Sequence, residues 1–399
     1  MGLLKSLGRF GSYRGRLRNM YLPTIEELGD LRGKKVLVRC DFNTPLEERD
    51  GRFEVRDDFR IRASLPLFQA LQEKGALVTA CTHLGRPDGK VVAEYSVEPI
   101  RRRLNDLIEG VTLLENLRFH PGEESGDEEF GRQLIEGFDF FVNEAFGVCH
   151  REHASVMIPP RLVPSAAGPH LVAEVSVMLG LLNDPPRPFV AIVGGAKVKD
   201  KLAITAKLTE KADAVIVGGG MAFTFWRAMG KHIGDSLVDE SHLDQCSALL
   251  DGGKIHLPID AIGLPRGTTF GAHSGPEAAQ YFGEEIPDGF IGLDIGQQSI
   301  DKFVGTISQA ASVLWNGPMG VFEDIRFEHG THAIASAIAE SRATSVIGGG
   351  DSAAALAQFG LSDCVSYVST GGGASLELLE MGDLPGLRAL RGESKSKNG

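Results

Sequence analysis

At 399 residues the chain exceeds the ~100–200 residues of an ordinary domain, so two domains are expected. Its 42% hydrophobic and 24% charged residues describe a globular protein rather than a disordered or fibrous one. No run approaches the ~18 apolar residues of a membrane span, and a net charge of −12 opposes bulk attraction to nucleic acid, which leaves a small metabolite as the expected partner.

In chain order, residues 1–19 carry five basic and no acidic side chains and read as a basic extension, either a transit-like or surface-binding segment or a disordered stretch ahead of a later start. Short runs rich in Val and Ile follow: KVLVRCD (35–41), ALVTAC (76–81), VTLL (111–114) and FDFFV (138–142). A second group comprises FVAIV (189–193), DAVIV (213–217), KIHLPI (254–259), SVLW (312–315), TSVI (344–347) and VSYV (365–368). Continuous β-branched runs without alternation indicate strands buried on both faces, and the stretches between them have helical character, so parallel sheets covered by helices are expected. That is an α/β architecture. Between the groups, 168–188 is apolar with helical period and ends at Asp184-Pro185-Pro186, which predicts one helix joining two lobes. The expected domains are 20–185, including that helix, and 186–386, with 387–399 returning toward the first and 391–399 forming a solvated tail.

Cys40, Cys81, Cys149, Cys246 and Cys364 are odd in number, scattered and never spaced as CxxC. That pattern argues against a disulfide framework or a zinc knuckle and for a reducing cytoplasm.

Ligands of open parallel sheets sit beyond the carboxyl ends of the strands, and there the two halves differ. The first-half runs end in RCDFNTP (39–45), THLGRP (82–87), ENLRFH (115–120) and NEAFGVCHREH (143–153), supplying Asp41, Asn43 and His83 with Arg39, Arg60, Arg86, Arg118 and Arg151 at or near the ends. Guanidinium forks match phosphate and carboxylate geometry, although any one arginine is more often a surface residue and Arg39, inside its run, suits a structural ion pair. His150 and His153 have a spacing that a helical metal pair would tolerate, but no third ligand is evident, so hydrogen bonding beside Arg151 is the preferred reading.

The second-half runs end in GGAK (194–197), GGG (218–220), NGPMG (316–320), GGGD (348–351) and STGGGAS (369–375). One glycine turn is bland; five suggest backbone amides and helix starts opened toward polyphosphate. Neither GxGxxG nor GxxxxGK[ST] occurs at these ends, which weakens the dinucleotide and P-loop readings. If a helix begins near Ala196, Lys197 and Lys201 share its first turn, where lysine is unfavourable unless an anion binds, and Lys199 points elsewhere. Asp351 suits an N-cap, or a magnesium ion shared with phosphate and supported by Ser352.

Together these segments closely resemble the phosphoglycerate kinase family. VLVRCDFNTP, THLGRP, LLENLRFHPGEE, GGAKVKDK, GGGMAFTF, WNGPMGVFE, GGGDSA and STGGGASLE follow in family order, from about Lys34 to Leu390. The resemblance implies two Rossmann-like lobes, each a parallel sheet flanked by helices, joined by a helix and hinge. It implies reversible phosphoryl transfer between 1,3-bisphosphoglycerate and ADP, giving 3-phosphoglycerate and ATP, by a cytoplasmic monomer. Carried over residue by residue, Asp41, Asn43, Arg60, His83, Arg86, Arg118 and Arg151 surround the phosphoglycerate. Lys197 and Lys201 hold nucleotide phosphates, with Lys201 nearest the transferring group. Asp351 takes Mg2+, Asn316 approaches the phosphates, Pro318 lines the nucleoside pocket and Glu323 holds the ribose. Gly195, Gly219, Gly220, Gly292, Gly350 and Ser352 complete the nucleotide side, while Arg60, Lys197, Lys201, Gly349, Gly372 and Gly373 flank the transfer itself. Glu144 stands where the family pattern has Asp, and Met381-Gly382 replaces Gly-Lys. A nicotinamide oxidoreductase or a non-catalytic nucleotide-binding scaffold are the competing readings, the first opposed by the missing dinucleotide fingerprint and the second by retention of both charged sets.

Overall fold

The structure is a computed structural model and describes residues 20–271 and 277–393; the basic extension and most of the expected C-terminal tail lie outside them. Within the described residues, 20–177 with 381–393 form one compact unit and 178–380 the other. The units change at 177/178 and 380/381, inside the helices Pro169–Asn183 and Gly373–Met381, and not at 185/186 or 386/387. Prolines stop a helix, but they do not decide which sheet its last turns accompany.

The first unit is built on a five-stranded parallel sheet of β1 (Lys35–Arg39), β4 (Leu77–Cys81), β5 (Val111–Leu113), β6 (Phe140–Asn143) and β7 (Ser165–Ala167), ordered β5-β4-β1-β6-β7. From β1 the chain builds outward first to β4 and β5, then on the other side to β6 and β7. The carboxyl end of β1 is therefore a topological switch point, where two diverging connections leave a crevice. Val36, Leu37, Val38 and Arg39 are all buried, as the unalternated run predicted.

The second unit carries a six-stranded parallel sheet of β8 (Phe189–Val193), β9 (Ala214–Val217), β10 (Ile255–His256), β14 (Ser312–Asn316), β15 (Thr344–Gly348) and β16 (Tyr367–Val368), ordered β10-β9-β8-β14-β15-β16. Its switch point lies between β8 and β14, paired in parallel from Phe189↔Ser312 to Val193↔Asn316. The core here includes Ile192, Ile216, Trp315, Ile334, Ile347 and Leu356, all at or below 1% exposure. Burial on that scale is worth roughly 1.5–3 kcal/mol per large apolar side chain.

Two antiparallel pieces add to the expected parallel sheets. β2 (Leu46–Arg49) and β3 (Arg52–Val55) form an exposed hairpin around Asp50-Gly51, both with positive φ (49° and 72°). An Asp-Gly pair is a strong two-residue turn signal, but its polar strands lack the apolar run on which strands were recognised. β11 (Ala261–Pro265), β12 (Gln280–Phe282) and β13 (Phe290–Ile295) form a three-stranded antiparallel sheet. Gly263, Pro265 and Gly292 dilute the β signal there.

Three helices begin on carboxylates supplied from elsewhere in the chain. Glu144, just past β6, accepts from His170 N at 3.1 Å and Leu171 N at 3.4 Å at the start of Pro169–Asn183. Asp260 accepts from Gln298 N and Ser299 N, both at 2.9 Å, in Gln297–Ser308. Asp294 on β13 accepts from Gly330 N at 2.8 Å in His329–Glu340. Each satisfies orphan amides at the start of its helix. A Cβ at Gly168 would overlap Glu144 Oε2, so a larger residue there would displace the capping carboxyl.

Candidate functional site: two switch points

At the first switch point the loops after β1 and β4 and helix Phe59–Glu73 converge. Arg60, the second residue of that helix, pairs through Nη1 with Asp41 Oδ2, while Asp41 Oδ1 accepts from Asn43 N at 3.2 Å. Asn43 Oδ1 accepts from Gly85 N at 3.0 Å, tying the loop after β1 to the one bearing His83 and Arg86. Arg118 sits on the 3-10 turn Leu117–Phe119, where Asn116 Oδ1 accepts from its backbone N at 3.0 Å. Its Nη1 donates to Gly85 O at 2.7 Å, and its Nε stands 3.1 Å from Glu124 Oε1. Arg86 and Arg151 are exposed, and their side chains make no ion pair among the described residues.

These charges sense one another. Burial pushes Asp41 up, but Arg60 and then Arg39, with the Asn43 backbone amide, outweigh it and hold its carboxyl below the usual range. Burial drives His83 well below the ordinary imidazole value; Asp41 opposes, while Arg39, Arg118 and Arg60 add to the drop. Burial, then Glu124 acting the other way, then Arg39 and Arg86 set the lowered value of Arg118. Burial followed by Arg151 lowers His150 to about 4, and burial followed by Arg118, Arg39 and Arg151 lowers His153 to about 4. Asp41, Asn43, Arg60, His83, Arg86 and Arg118 thus gather beyond the carboxyl ends of β1 and β4, with Arg151 acting at their flank on His150 and His153.

Arg39 makes the structural ion pair its position suggested: fully buried, its Nη2 lies 3.8 Å from Glu123 Oε1. No group of three His, Cys, Asp or Glu side chains able to hold a metal occurs among the described residues, and the expected hydrogen bonding is not found at Nδ1 of His150 or His153: both atoms are buried without a partner, His153 Nδ1 lying 3.8 Å from Glu123 Oε1. Glu123 and Ser155, both fully buried beneath this cluster, were missed by the sequence reading. Nothing in LRFHPGEE marks which glutamate turns inward.

At the second switch point the turns are joined backbone to backbone. Gly194 N donates to Asn316 O and Gly195 N to Pro318 O, each at 2.9 Å, and Gly219 N donates to Met319 O at 2.9 Å. Gly219, at φ +66°, would put a Cβ 2.5 Å from Gly195 N, so its bareness serves this contact before any ligand. Gly220 lies close to Ala196, whose O is 3.1 Å from a would-be Cβ. By contrast, a Cβ at Gly350 or Gly372 meets nothing within 4 Å, and Gly349 adopts φ +87° as the N-cap of helix Gly350–Gln358. Gly373 opens the helix Gly373–Met381.

The lysines are arranged differently from the expectation. The helix begins at Leu202 with Lys201 at its N-cap, so Lys197 and Lys201 do not share a first helical turn. The glycine turn runs on as Lys201 N bonds Val198 O at 3.0 Å, delaying the helix. Lys201 Nζ is held by Gly194 O at 2.6 Å and Asn316 O at 3.2 Å, and burial lowers its pKa to about 8 against the pull of Asp351 and Asp200. Lys197 and Lys199 are exposed and without ion pairs among the described residues.

Asn316 Nδ2 is buried with no hydrogen-bond partner, 3.0 Å from where a Gly349 Cβ would sit. An orphan amide donor facing a glycine turn suits an incoming phosphate oxygen. Asp351 is not the N-cap; it lies exposed in the first turn, with no hydrogen bond or ion pair of its side chain among the described residues. Ser352 is buried and its Oγ accepts from Gly317 N at 2.6 Å, bracing the loop after β14 together with Trp315 Nε1, which donates to Gly317 O at 2.8 Å. Pro318 is buried with its carbonyl engaged, Glu323 is exposed, and Gly292 lies on β13 against Phe223.

The family model for phosphoglycerate kinase matches residues 25–112 and 108–382. A phosphoglycerate kinase of Rubrobacter xylanophilus is 44% identical over 386 residues, covering 90% of this chain and 96% of the relative. The chain belongs to the phosphoglycerate kinase family. A phosphoglycerate kinase of Salinispora arenicola is 42% identical over 404 residues, covering 93% of this chain and all of the relative. Among solved structures, phosphoglycerate kinase from Coxiella burnetii superposes with a TM-score of 0.83 at 34% identity over 94% of this chain and 100% of that one. The enzyme from Pyrococcus horikoshii gives 0.77 at 28% identity over 93% and 98%. Glu144, one of the two departures named above, places its carboxyl group at the first turn of Pro169–Asn183.

Proposed function

We infer that the protein catalyses reversible phosphoryl transfer between 1,3-bisphosphoglycerate and ADP, giving 3-phosphoglycerate and ATP in glycolysis. The observation that carries this reading is the pairing of an arginine-rich switch point with a glycine- and lysine-lined one in the same chain. Arg60, Arg86, Arg118 and Arg151, with Asp41, Asn43 and His83, bind phosphoglycerate in the N-terminal domain. Lys197, Lys201, Asn316 and the glycine turns bind nucleotide in the C-terminal domain, with Pro318 and Glu323 toward the nucleoside and ribose.

The phosphoryl acceptor is a carboxylate, so no general base is needed in the ATP-consuming direction. Catalysis rests on alignment and charge stabilisation. Lys201, fixed by two carbonyls, presents a preorganised ammonium to the moving phosphoryl oxygens, and the Asn316 amide offers a donor already stripped of water. The exposed, unpaired Asp351 carboxylate fits a magnesium ion that arrives with the nucleotide, since Mg2+ takes one or two carboxylates plus phosphate oxygens. That ion supplies charge neutralisation to the phosphates. Ser352, which braces the loop after β14 by accepting from Gly317 N, supports the same site.

Because the two residue sets belong to different units, in-line transfer is taken to follow hinge closure, which excludes water and suppresses hydrolysis. A cytoplasmic monomer completes the proposal. A coupled assay with 3-phosphoglycerate and MgATP tests it: turnover dependent on both substrates and on magnesium is expected. A folded protein that binds MgATP without such turnover would instead be a nucleotide-binding scaffold.

A further inference from the structure

Beneath the arginines of the first unit runs a chain of buried polar groups. Glu123 Oε2 accepts from Ser155 N at 3.0 Å and Oε1 from Ser155 Oγ at 2.7 Å. Ser155 Oγ accepts from Arg39 Nε at 2.9 Å, and Arg39 Nη2 stands 3.3 Å from His83 Nδ1. Glu123, Ser155 and Arg39 are wholly buried and His83 is 5% exposed, so water does not compete for these bonds.

Each link has only one possible sense. A guanidinium offers five N–H donors and no acceptor. The His83 nitrogen facing Arg39 must therefore accept, and the ring proton must sit on Nε2. Ser155 gives its own proton to Glu123, which leaves its oxygen free to accept from Arg39. The Glu123 carboxylate, 3.8 Å from Arg39, is the fixed negative end that sets every direction above it.

We propose that Glu123, Ser155 and Arg39 are positioning residues that fix His83 as a neutral imidazole carrying its proton on Nε2, a hydrogen-bond donor and not a cation, inside the phosphoglycerate-binding cluster. The inference rests on the reading of that cluster given above. The charged groups acting on His83 are Asp41, Arg39, Arg118 and Arg60. Of these only Asp41 favours a second proton, and Asp41 is already paired with Arg60. Burial works in the same direction as the arginines. A neutral donor here recognises a ligand oxygen without adding a further positive charge to Arg60, Arg86, Arg118 and Arg151. Its contribution to binding then stays constant over the range where an ordinary histidine titrates.

The full-length protein labelled with 15N-histidine provides the test, with His83→Asn identifying the His83 signals. The expected spectrum is that of an Nε2–H tautomer, unchanged between about pH 5 and 8. Ser155→Ala, or Glu123→Gln where it folds, should bring mixed tautomers or proton uptake within that window. The same variants should raise KM for 3-phosphoglycerate about tenfold, leaving kcat and KM for MgATP near their starting values. A His83 that titrates in the wild type between those limits, or that carries its proton on Nδ1, would overturn the inference. Variants with an unaltered His83 spectrum would do the same. If 3-phosphoglycerate leaves the His83 signals unmoved while the tautomer is as expected, the substrate-site reading fails and the tautomer assignment stands.

Discussion

In the proposed function the two switch points solve the same problem, holding an anion at the end of a parallel sheet, with opposite materials. At the first, long charged side chains do the work, and they are held by a buried layer of Glu123, Ser155 and Arg39. At the second, backbone amides and carbonyls interlock at Gly194, Gly195 and Gly219, and the side chains that matter, Lys201 and Asn316, are short of partners or gripped by carbonyls. A small triose acid offers few atoms, so recognition needs forks that reach it from several loops. A polyphosphate is long and repetitive, and a fixed lattice of peptide dipoles can follow it with little side-chain entropy to lose. The contrast predicts that substitutions at the first site act on substrate binding, and those at the second on the reaction or on metal demand.

The largest effect is expected from Lys201→Met. Loss of a preorganised charge costs about 3–4 kcal/mol in the transition state, so kcat should fall on the order of 10²–10³. Calorimetric affinity for MgADP should change only modestly, and Lys199→Met, at an exposed position, should do little to either. Near wild-type turnover in Lys201→Met would put the charge stabilisation elsewhere, with exposed Lys197 the first candidate.

Next comes Arg118→Ala, which removes charge-assisted bonds worth roughly 1.5–3 kcal/mol and should raise KM for 3-phosphoglycerate about ten- to a hundredfold. KM for MgATP should hold. Equal weakening of both substrates in steady-state kinetics would erase the division between the sites.

Asp351→Asn should shift the magnesium titration of activity to higher concentration while 3-phosphoglycerate affinity persists. A titration that superimposes on the wild type would remove this carboxylate from the metal.

The smallest effect concerns stability. Burial raises the carboxyls of Glu144 and Asp294 to about 8, far above their unfolded values, despite the helix amides they cap. The native state therefore holds more protons than the unfolded chain from about pH 4 to 8, and stability falls as pH rises through that window, levelling off above it. Glu144→Gln keeps an oxygen for His170 N and removes the ionisation, so its urea midpoint should decline less between pH 5 and 8. Parallel curves for the variant and the wild type would count against the raised value.

The parallel sheets were legible because a strand buried on both faces is apolar without alternation, as in FVAIV and in the Val36–Val38 run of KVLVR. The charged and glycine-rich ends were legible for the same reason, since the carboxyl ends of such strands are where a sheet meets its ligand. The hairpin at Asp50-Gly51 was written in the sequence but masked by its polar strands. What only the tertiary structure decided are contacts between residues remote in sequence. Lys201 is set by carbonyls of Gly194 and Asn316, and the helix after it waits until Leu202 because the glycine turn continues. Glu144, Asp260 and Asp294 cap helices that start some two to four dozen residues later, and no local pattern announces them. The inward turn of Glu123 toward Arg39 belongs to the same class. A sequence fixes which groups dislike water and which backbone angles are cheap. Which buried donor meets which buried acceptor is settled only when the sheets have packed and every desolvated polar group must find a partner.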